Sequence, residues 1–278
     1  MSDSRSHESV FSSDELYRIV AETFVAAVDH HPQLGSSNDR AAKLLSDPQA
    51  NFPLLVLTDS QTAGRGRGCN VWWSSDGALT FSLALATDVA NLPAQRWPQV
   101  SLTAGLAVCE ALEQILTRGV PAQSASNLPK TQLKWPNDVY LTGQKICGIL
   151  VEAPPTAPGK LIVGIGINVN NSVEGAPAEV QQLATSLVDL TGQSYRLADV
   201  LIEVLKQLAL RLEPDHLWSA EVLDGWRSRC FLSDKRIEID NGTRKALGIC
   251  RGIDESGALL LEAGGQVEKH LAGTIMLL

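Results

Sequence analysis

Apolar positions along the first fifty residues recur at helical spacing. Ser12 and Glu15 stand three apart ahead of Leu16, Ile19, Val20, Phe24 and Val28, which predicts one capped amphipathic helix ending near His30-His31-Pro32. A second helix is expected over Asn38 to Leu45, after the polar segment Gly35-Ser36-Ser37. Two short apolar runs bounded by turn residues, Pro53 to Thr58 and Leu79 to Ala86, read as buried strands. Pro98 to Leu116 is apolar at helical spacings and reads as a largely buried helix, followed by a polar loop over 119–131. Gln132 to Leu141, Lys145 to Ala153 and Lys160 to Val169 then read as three strands. A leucine and valine stripe from Leu197 to Leu212 predicts an amphipathic helix, and Leu217 to Arg229 another.

Beyond Asp234 the texture changes. Arg236 to Ile239, Ala246 to Ile253, Ala258 to Leu261, Val267 to Leu271 and Ile275 to Leu278 are short runs separated by turn residues such as Asp240-Asn241-Gly242 and Ala263-Gly264-Gly265. That spacing predicts a small all-β barrel after a larger domain in which helices cover a sheet.

Composition narrows the class. A chain of 278 residues with 44% hydrophobic and 19% charged residues is that of a folding globular protein, and the length suits one large and one small domain. The net charge of -8 disfavours non-specific binding to nucleic acid or an anionic membrane surface. The five cysteines are odd in number, widely spaced and never form CxxC, so neither a disulfide framework nor a zinc site is expected, and a reducing, cytoplasmic setting fits. No apolar run approaches the roughly 20 residues of a membrane span.

Three stretches carry candidate chemistry. Gly64-Arg65-Gly66-Arg67-Gly68 combines a backbone that permits close approach with guanidinium groups suited to an anion, although by itself it reads equally as a solvated turn. Lys134-Trp135-Pro136-Asn137-Asp138 places a lysine at a strand end and a carboxylate four residues on; the lysine could neutralise a phosphate or carboxylate, and Asp138 could hold Mg²⁺, the plainer alternative being a surface ion pair. Gly164-Ile165-Gly166-Ile167-Asn168 lacks the third glycine of a dinucleotide fingerprint, but its small residues could leave room for a flat ligand over the sheet, with Asn168 offering amide hydrogen bonds. No P-loop and no GxSxG elbow occurs, and His7, His30, His31, His216 and His270 fall outside these stretches, as surface residues would.

Taken in order, Ser36-Ser37-Asn38, Gln61 to Arg67, Lys134 to Asp138, Lys145 to Glu152 and Gly164 to Asn168 resemble the biotin protein ligase family. The resemblance implies an α+β fold: a mixed sheet like that of class II aminoacyl-tRNA synthetases with flanking helices, plus a C-terminal SH3-like barrel. It implies an N-terminal tail and helix over 1–33, a biotin- and ATP-binding domain over 34–230 and the barrel over 231–278. It also implies ATP-dependent formation of biotinyl-5'-AMP and transfer of biotin to a lysine of the biotin carboxyl carrier protein of acetyl-CoA carboxylase, with Mg²⁺ as cofactor.

By the same resemblance Ser36, Ser37, Asn38, Gln61, Arg65, Gly66, Arg67, Lys134, Gly148 and Leu150 contact biotin. Arg65, Arg67, Trp72, Lys134 and Asn168 contact ATP, and Lys134 and Arg67 carry catalysis. Cys69 and Asn70 stand where the family has a Gly-Arg pair, so one positive charge of the loop is missing. A lipoate or octanoate protein ligase shares the fold but has a different arginine-glycine signature. A regulator would need a winged helix of about 60 residues, and only 35 residues precede Ser36, so a ligase without a DNA-binding domain is expected. The oligomeric state stays open, a homodimer being one option.

Overall fold

The computed structural model describes residues 9–86, 96–118, 128–213 and 215–278. The predicted loop over 119–131 lies mostly outside these residues.

A seven-stranded mixed sheet forms the centre of the larger part, in the order β1-β2-β3-β7-β6-β5-β4. Its strands are β1 (Ala27–Leu34), β2 (Leu54–Gln61), β3 (Ala78–Ala86), β4 (Thr131–Lys134), β5 (Asp138–Leu141), β6 (Gln144–Glu152) and β7 (Lys160–Asn168). Only β1 and β2 run parallel; the other neighbours are antiparallel. Alternation along β2 explains why the central strands look apolar throughout. Leu55 and Leu57 face the main core, while Leu54 and Val56 face a smaller cluster under helix α2 (Ser37–Leu44).

Helices α3 (Trp97–Thr117) and α6 (Leu197–Leu212) cover one face of the sheet, with α1 (Ser13–Glu22) against α6 and α7 (Ala220–Ser228) against α3. Helix α3 is long and apolar enough to cross a bilayer by composition, but most of its apolar length is buried between sheet and α6. Two short helices, α4 (Ala178–Leu183) and α5 (Leu187–Thr191), follow β7 in a stretch without periodic apolar positions.

The expectation for the N-terminal region is half corrected. The Ser12 and Glu15 capping box is present and starts α1, but the helix ends at Glu22 because Thr23 is extended. Residues 27–34, expected as helix and tail, form the edge strand β1, in register with β2 from Ala27↔Leu54 to Leu34↔Gln61. Pro32 is tolerated there because an edge strand has a side with no ladder to interrupt. The expected single strand over Gln132 to Leu141 is in fact a hairpin. Trp135-Pro136 turns the chain, so that β4 and β5 pair with Lys134 opposite Asp138.

The five predicted C-terminal strands all appear: β8 (Arg236–Asp240), β9 (Lys245–Ile253), β10 (Leu259–Ala263), β11 (Gln266–His270) and β12 (Thr274–Leu277). They form an antiparallel sheet in the order β11-β10-β9-β8-β12. Its buried residues, among them Ile237, Ile239, Cys250, Ile253, Leu259 and Leu261, join the same cluster as the core of the large sheet. The small unit is therefore packed on the large one without an apolar break.

Leu112 of α3, fully buried between sheet and α6, tests this core. Leu112→Ala should lower unfolding free energy by about 2–5 kcal/mol in denaturant titration; a loss under 1 kcal/mol, on the order of a surface change, would contradict the packing described.

Candidate functional site

The register of the sheet builds a floor before any side chain is considered. Thr80 of β3 pairs with Gly166, Gly166 with Gly148, Gly148 with Asp138, and Asp138 with Lys134, a single row across five strands. The next row joins Ser82, Gly164 and Leu150. Cross-strand partners point to the same face, so glycine at 148, 164 and 166 opens a hollow between polar and charged side chains.

Two of these glycines are required by close approach. A Cβ on Gly164 would lie 2.1 Å from Asn38 Oδ1, and one on Gly166 would lie 2.3 Å from the Trp72 ring. The flat group expected over β7 is thus, in this structure, the protein's own Trp72 indole. Its N–H is buried without a hydrogen-bond partner among the described residues.

A cavity of about 550 Å³ stands over this floor. It brings together every site residue the sequence singled out: Ser36, Ser37, Asn38, Gln61, Arg65, Gly66, Arg67, Trp72, Lys134, Asp138, Gly148, Leu150 and Asn168. No histidine is among the lining residues. The expectation that the histidines lie at the surface fails for His30, whose Nε2 lies 2.8 Å from Asp59 Oδ1, and for His270, the side chains of both being 11% exposed.

One end of the cavity is polar and uncharged. Ser36 caps α2, its Oγ accepting from the Asp39 N–H. The Ser37 N–H donates to Gln61 Oε1 at 2.7 Å. Ser82 Oγ lies 2.8 Å from Ser37 Oγ and 2.5 Å from Asn38 Oδ1, and Asn38 Nδ2 donates to Glu152 Oε2 at 2.7 Å. These groups come from α2, β2, β3 and β6, so the cluster exists only when the sheet has closed. On the floor beside it Asn168 is already engaged, donating to Thr185 O at 2.9 Å and accepting from Asn171 Nδ2 at 3.0 Å.

The loop over 64–72 is a small hairpin. Gly66 N–H donates to Asn70 O at 2.8 Å, Trp72 N–H to Gly64 O at 3.0 Å, and Asn70 Nδ2 to Arg67 O at 2.9 Å. Asn70 therefore closes the loop instead of extending from it. Arg65 lines the cavity and is held by carboxylates. Its guanidinium is bidentate on Glu152 at 2.8 and 2.7 Å and reaches Asp39 at 2.8 Å, and the Glu152 hydrogen bonds raise its pKa. Glu152 is held below the usual carboxylate range, burial being outweighed by hydrogen bonds from Arg65 and Asn38. Arg67 points the other way and donates to Gly273 O of the small domain; burial lowers its pKa against the pull of Asp138.

The opposite end is cationic. Lys134 Nζ donates to Tyr140 Oη at 3.3 Å, and Tyr140 stacks on Phe231 with ring centroids 4.7 Å apart. Lys235 Nζ sits 3.2 Å over the Phe231 ring. Burial pushes the Lys134 amine below the ordinary lysine value; Asp138 opposes this, while Lys145 and Lys235 add to it. A group held under such repulsion gains from any anion that arrives.

Asp138 does not fit a resident Mg²⁺. Lys145 Nζ lies 2.7 Å from its Oδ1, and no cluster of three His, Cys, Asp or Glu side chains occurs among the described residues. The sequence reading missed Lys145 and Glu152 as site residues, although both lie in a motif it quoted. It also missed Glu179, Val180 and Leu183 of α4 and Thr274 and Ile275 of β12, which line the cavity. No local signal marks those five; the chain fold alone brings them there.

Comparison with known proteins agrees with this geometry. Residues 32–170 match the Biotin/lipoate A/B protein ligase family, and residues 232–278 match the Biotin protein ligase C terminal domain. The chain is 32% identical over 246 residues to the biotin--[acetyl-CoA-carboxylase] ligase of Mycobacterium tuberculosis, covering 88% of this chain and 86% of that one. It is 34% identical over 254 residues to the bifunctional ligase/repressor BirA of Bacillus subtilis, covering 87% and 71%. Among solved structures, the Aquifex aeolicus biotin protein ligase in complex with biotin and ATP superposes with a TM-score of 0.75 at 30% identity, over 91% of this chain and 98% of that one. The mixed sheet with flanking helices and the C-terminal antiparallel sheet are the class II synthetase-like and SH3-like units expected. On sequence, fold and the contents of its cavity, the chain belongs to the biotin protein ligase family.

Proposed function

We propose that this protein is an ATP-dependent ligase that forms biotinyl-5'-AMP and transfers the biotinyl group to a lysine of a biotin carboxyl carrier protein. One observation carries the reading: a single cavity is lined at its α2 end by the uncharged polar groups of Ser36, Ser37, Asn38 and Gln61 and at its β4 end by the Lys134 amine. Biotin has the same polarity, a neutral ureido ring at one end and a carboxylate at the other. A lipoyl substrate, whose ring has no comparable hydrogen-bonding groups, would leave the α2 end unused.

Ser36, Ser37, Asn38 and Gln61 would hold the ureido ring, with Gly148 and Leu150 beside the acyl chain. The carboxylate oxygen then attacks the α-phosphorus of ATP, and pyrophosphate leaves. Both reactants are anions, so Lys134 and Arg67, whose charges are not already neutralised by a carboxylate partner, lower their repulsion and stabilise the charge that builds on phosphorus. Arg65 has a different task. Tied to Glu152 and Asp39, it fastens the loop to β6 and α2 and so keeps the adenylate covered. Trp72 and Asn168 border the space left for the nucleotide. In the second half-reaction the carrier amine attacks the acyl carbon, loses a proton and releases AMP.

The naming of the M. tuberculosis and Paracoccus denitrificans relatives as acetyl-CoA-carboxylase ligases supports a carrier of that class. A cytoplasmic setting belongs to the same proposal and is supported by the five cysteines all being free thiols.

Biotinyl-adenylate formation from biotin and ATP is the direct test. Lys134→Ala should lower its rate by on the order of 10²-fold or more while the thermal midpoint stays near that of wild type, since the partly buried lysine makes no ion pair among the described residues. Formation within threefold of wild type would remove Lys134 from catalysis.

The pH profile gives an independent check. Lys134 serves only while charged, so the rate holds below its folded pKa and falls as pH rises through it. Burial lowers that value, so the alkaline limb is expected below the ordinary lysine value of 10.5 and should disappear in Lys134→Arg. A limb unchanged by that substitution would assign it to another group.

A further inference from the structure

The turn joining β9 to β10, residues 254–257, is gripped by side-chain donors from separate parts of the larger domain. Trp218 Nε1 donates to Glu255 O at 2.7 Å, Gln99 Nε2 to Ser256 O at 3.3 Å, and Trp135 Nε1 to Gly257 O at 3.0 Å. The turn is stiffened from within. Buried Asp254 accepts from the N–H groups of Ser256 at 2.8 Å and Ala258 at 3.0 Å, and Lys269 Nζ lies 2.7 Å from it. Gly257 has φ +83, and a Cβ there would lie 2.7 Å from Leu102 of α3, so the turn sits directly on the large domain.

Trp135 differs from the other donors in its neighbour. It follows Lys134, which ends a strand of four residues at the edge of the large sheet. An edge strand that short has a ladder on one side only, which leaves its end poorly fixed. Here its outer side is completed by the segment leading into the small domain, with Leu133 N–H donating to Arg229 O and Phe231 N–H to Leu133 O, each at 2.8 Å. Its end is completed by the Trp135 indole, 2% exposed, on the Gly257 carbonyl. Helix α3 packs on the face of this strand, while the hydrogen bonds on its outer edge and the indole bond at its end come from the small domain or the segment joining it.

We propose that Trp135 is a positioning residue: through the Gly257 carbonyl, the turn of the small domain sets where the Lys134 amine stands during adenylate formation. The proposal rests on the ligase reading above. It assigns the small domain a part in the first half-reaction that needs no contact between that turn and either substrate. A misplacement of about 1 Å at a reacting group is enough to slow a step by about 10²-fold.

The test compares two substitutions that each remove one hydrogen bond to the same turn. Trp135→Phe keeps a ring in place and loses the N–H beside Lys134; Trp218→Phe loses the N–H on Glu255 O, far from it in sequence. Biotin Kd, kcat for adenylate formation and thermal midpoint are measured for both. The expected result is a kcat fall of at least about tenfold for Trp135→Phe with biotin Kd within about twofold, and kcat within about twofold for Trp218→Phe. Equal loss in both, following their thermal midpoints, would show a structural dock only and overturn the proposal. If Trp135→Phe does not fold, Asp254→Ala removes the acceptor for the N–H groups on either side of Gly257 and must lower kcat with biotin Kd unchanged; unchanged kcat in that folded variant is equally decisive against the idea. An active wild type with an unaffected Trp135→Phe overturns positioning alone, whereas a wild type that makes no adenylate overturns the ligase reading and this proposal with it.

Discussion

A Cβ atom at position 164 or 166 would have to occupy space already held by Asn38 or Trp72. The site depends on that space. Strands of a sheet stand about 4.8 Å apart, and with ordinary side chains on every strand the face under α2 would fill as densely as the opposite face does. Glycine at 148, 164 and 166, placed in adjacent rows by the register, lowers the floor on two neighbouring strands. Asn38, Trp72 and any ligand can then lie against the backbone. The rest of the arrangement, from the α2 cap to the loop over 64–72, is built on the rim of that hollow.

Charge is distributed around the rim unevenly. Arg65 is neutralised by two carboxylates and acts as a fastener, whereas Lys134 and Arg67 are partly buried with a phenol and a carbonyl as their hydrogen-bond partners. In a chain of net charge -8, this is a local inversion of sign. Burial disfavours a charged amine, and the lowered Lys134 pKa expresses that desolvation first, with Lys145 and Lys235 adding to it against Asp138. The fold holds them close because its core is large; an anion relieves the strain and is bound by doing so.

The small domain enters this balance as part of the same packing unit. Its core is continuous with that of the large sheet, Arg67 is anchored on Gly273 O, and Trp135 on Gly257 O. Arg67 and the residue that follows Lys134 are thus both held by backbone carbonyls of turns in the C-terminal unit. A boundary drawn from the change in turn spacing marks where the texture changes. It does not mark where the molecule divides mechanically.

Much was legible in the sequence because it is encoded locally. The capping box, the stripe of α6, the turns between β8 and β12 and the ordered series of motifs each depend on residues a few positions apart. The series sufficed to indicate the family, and each candidate site residue drawn from it lines the cavity. Tertiary structure decided the rest. Residues 27–34 carry a helical stripe continuing from α1, yet pairing with β2 makes them an edge strand. Whether Arg65 meets a ligand or Glu152 depends on a carboxylate 87 residues away. Whether β7 opens onto a ligand or onto Trp72 depends on how a distant loop folds back. A sequence fixes which groups are available and the local geometry of their backbone; their partners depend on which strands become neighbours, a long-range outcome of burying the whole core at once.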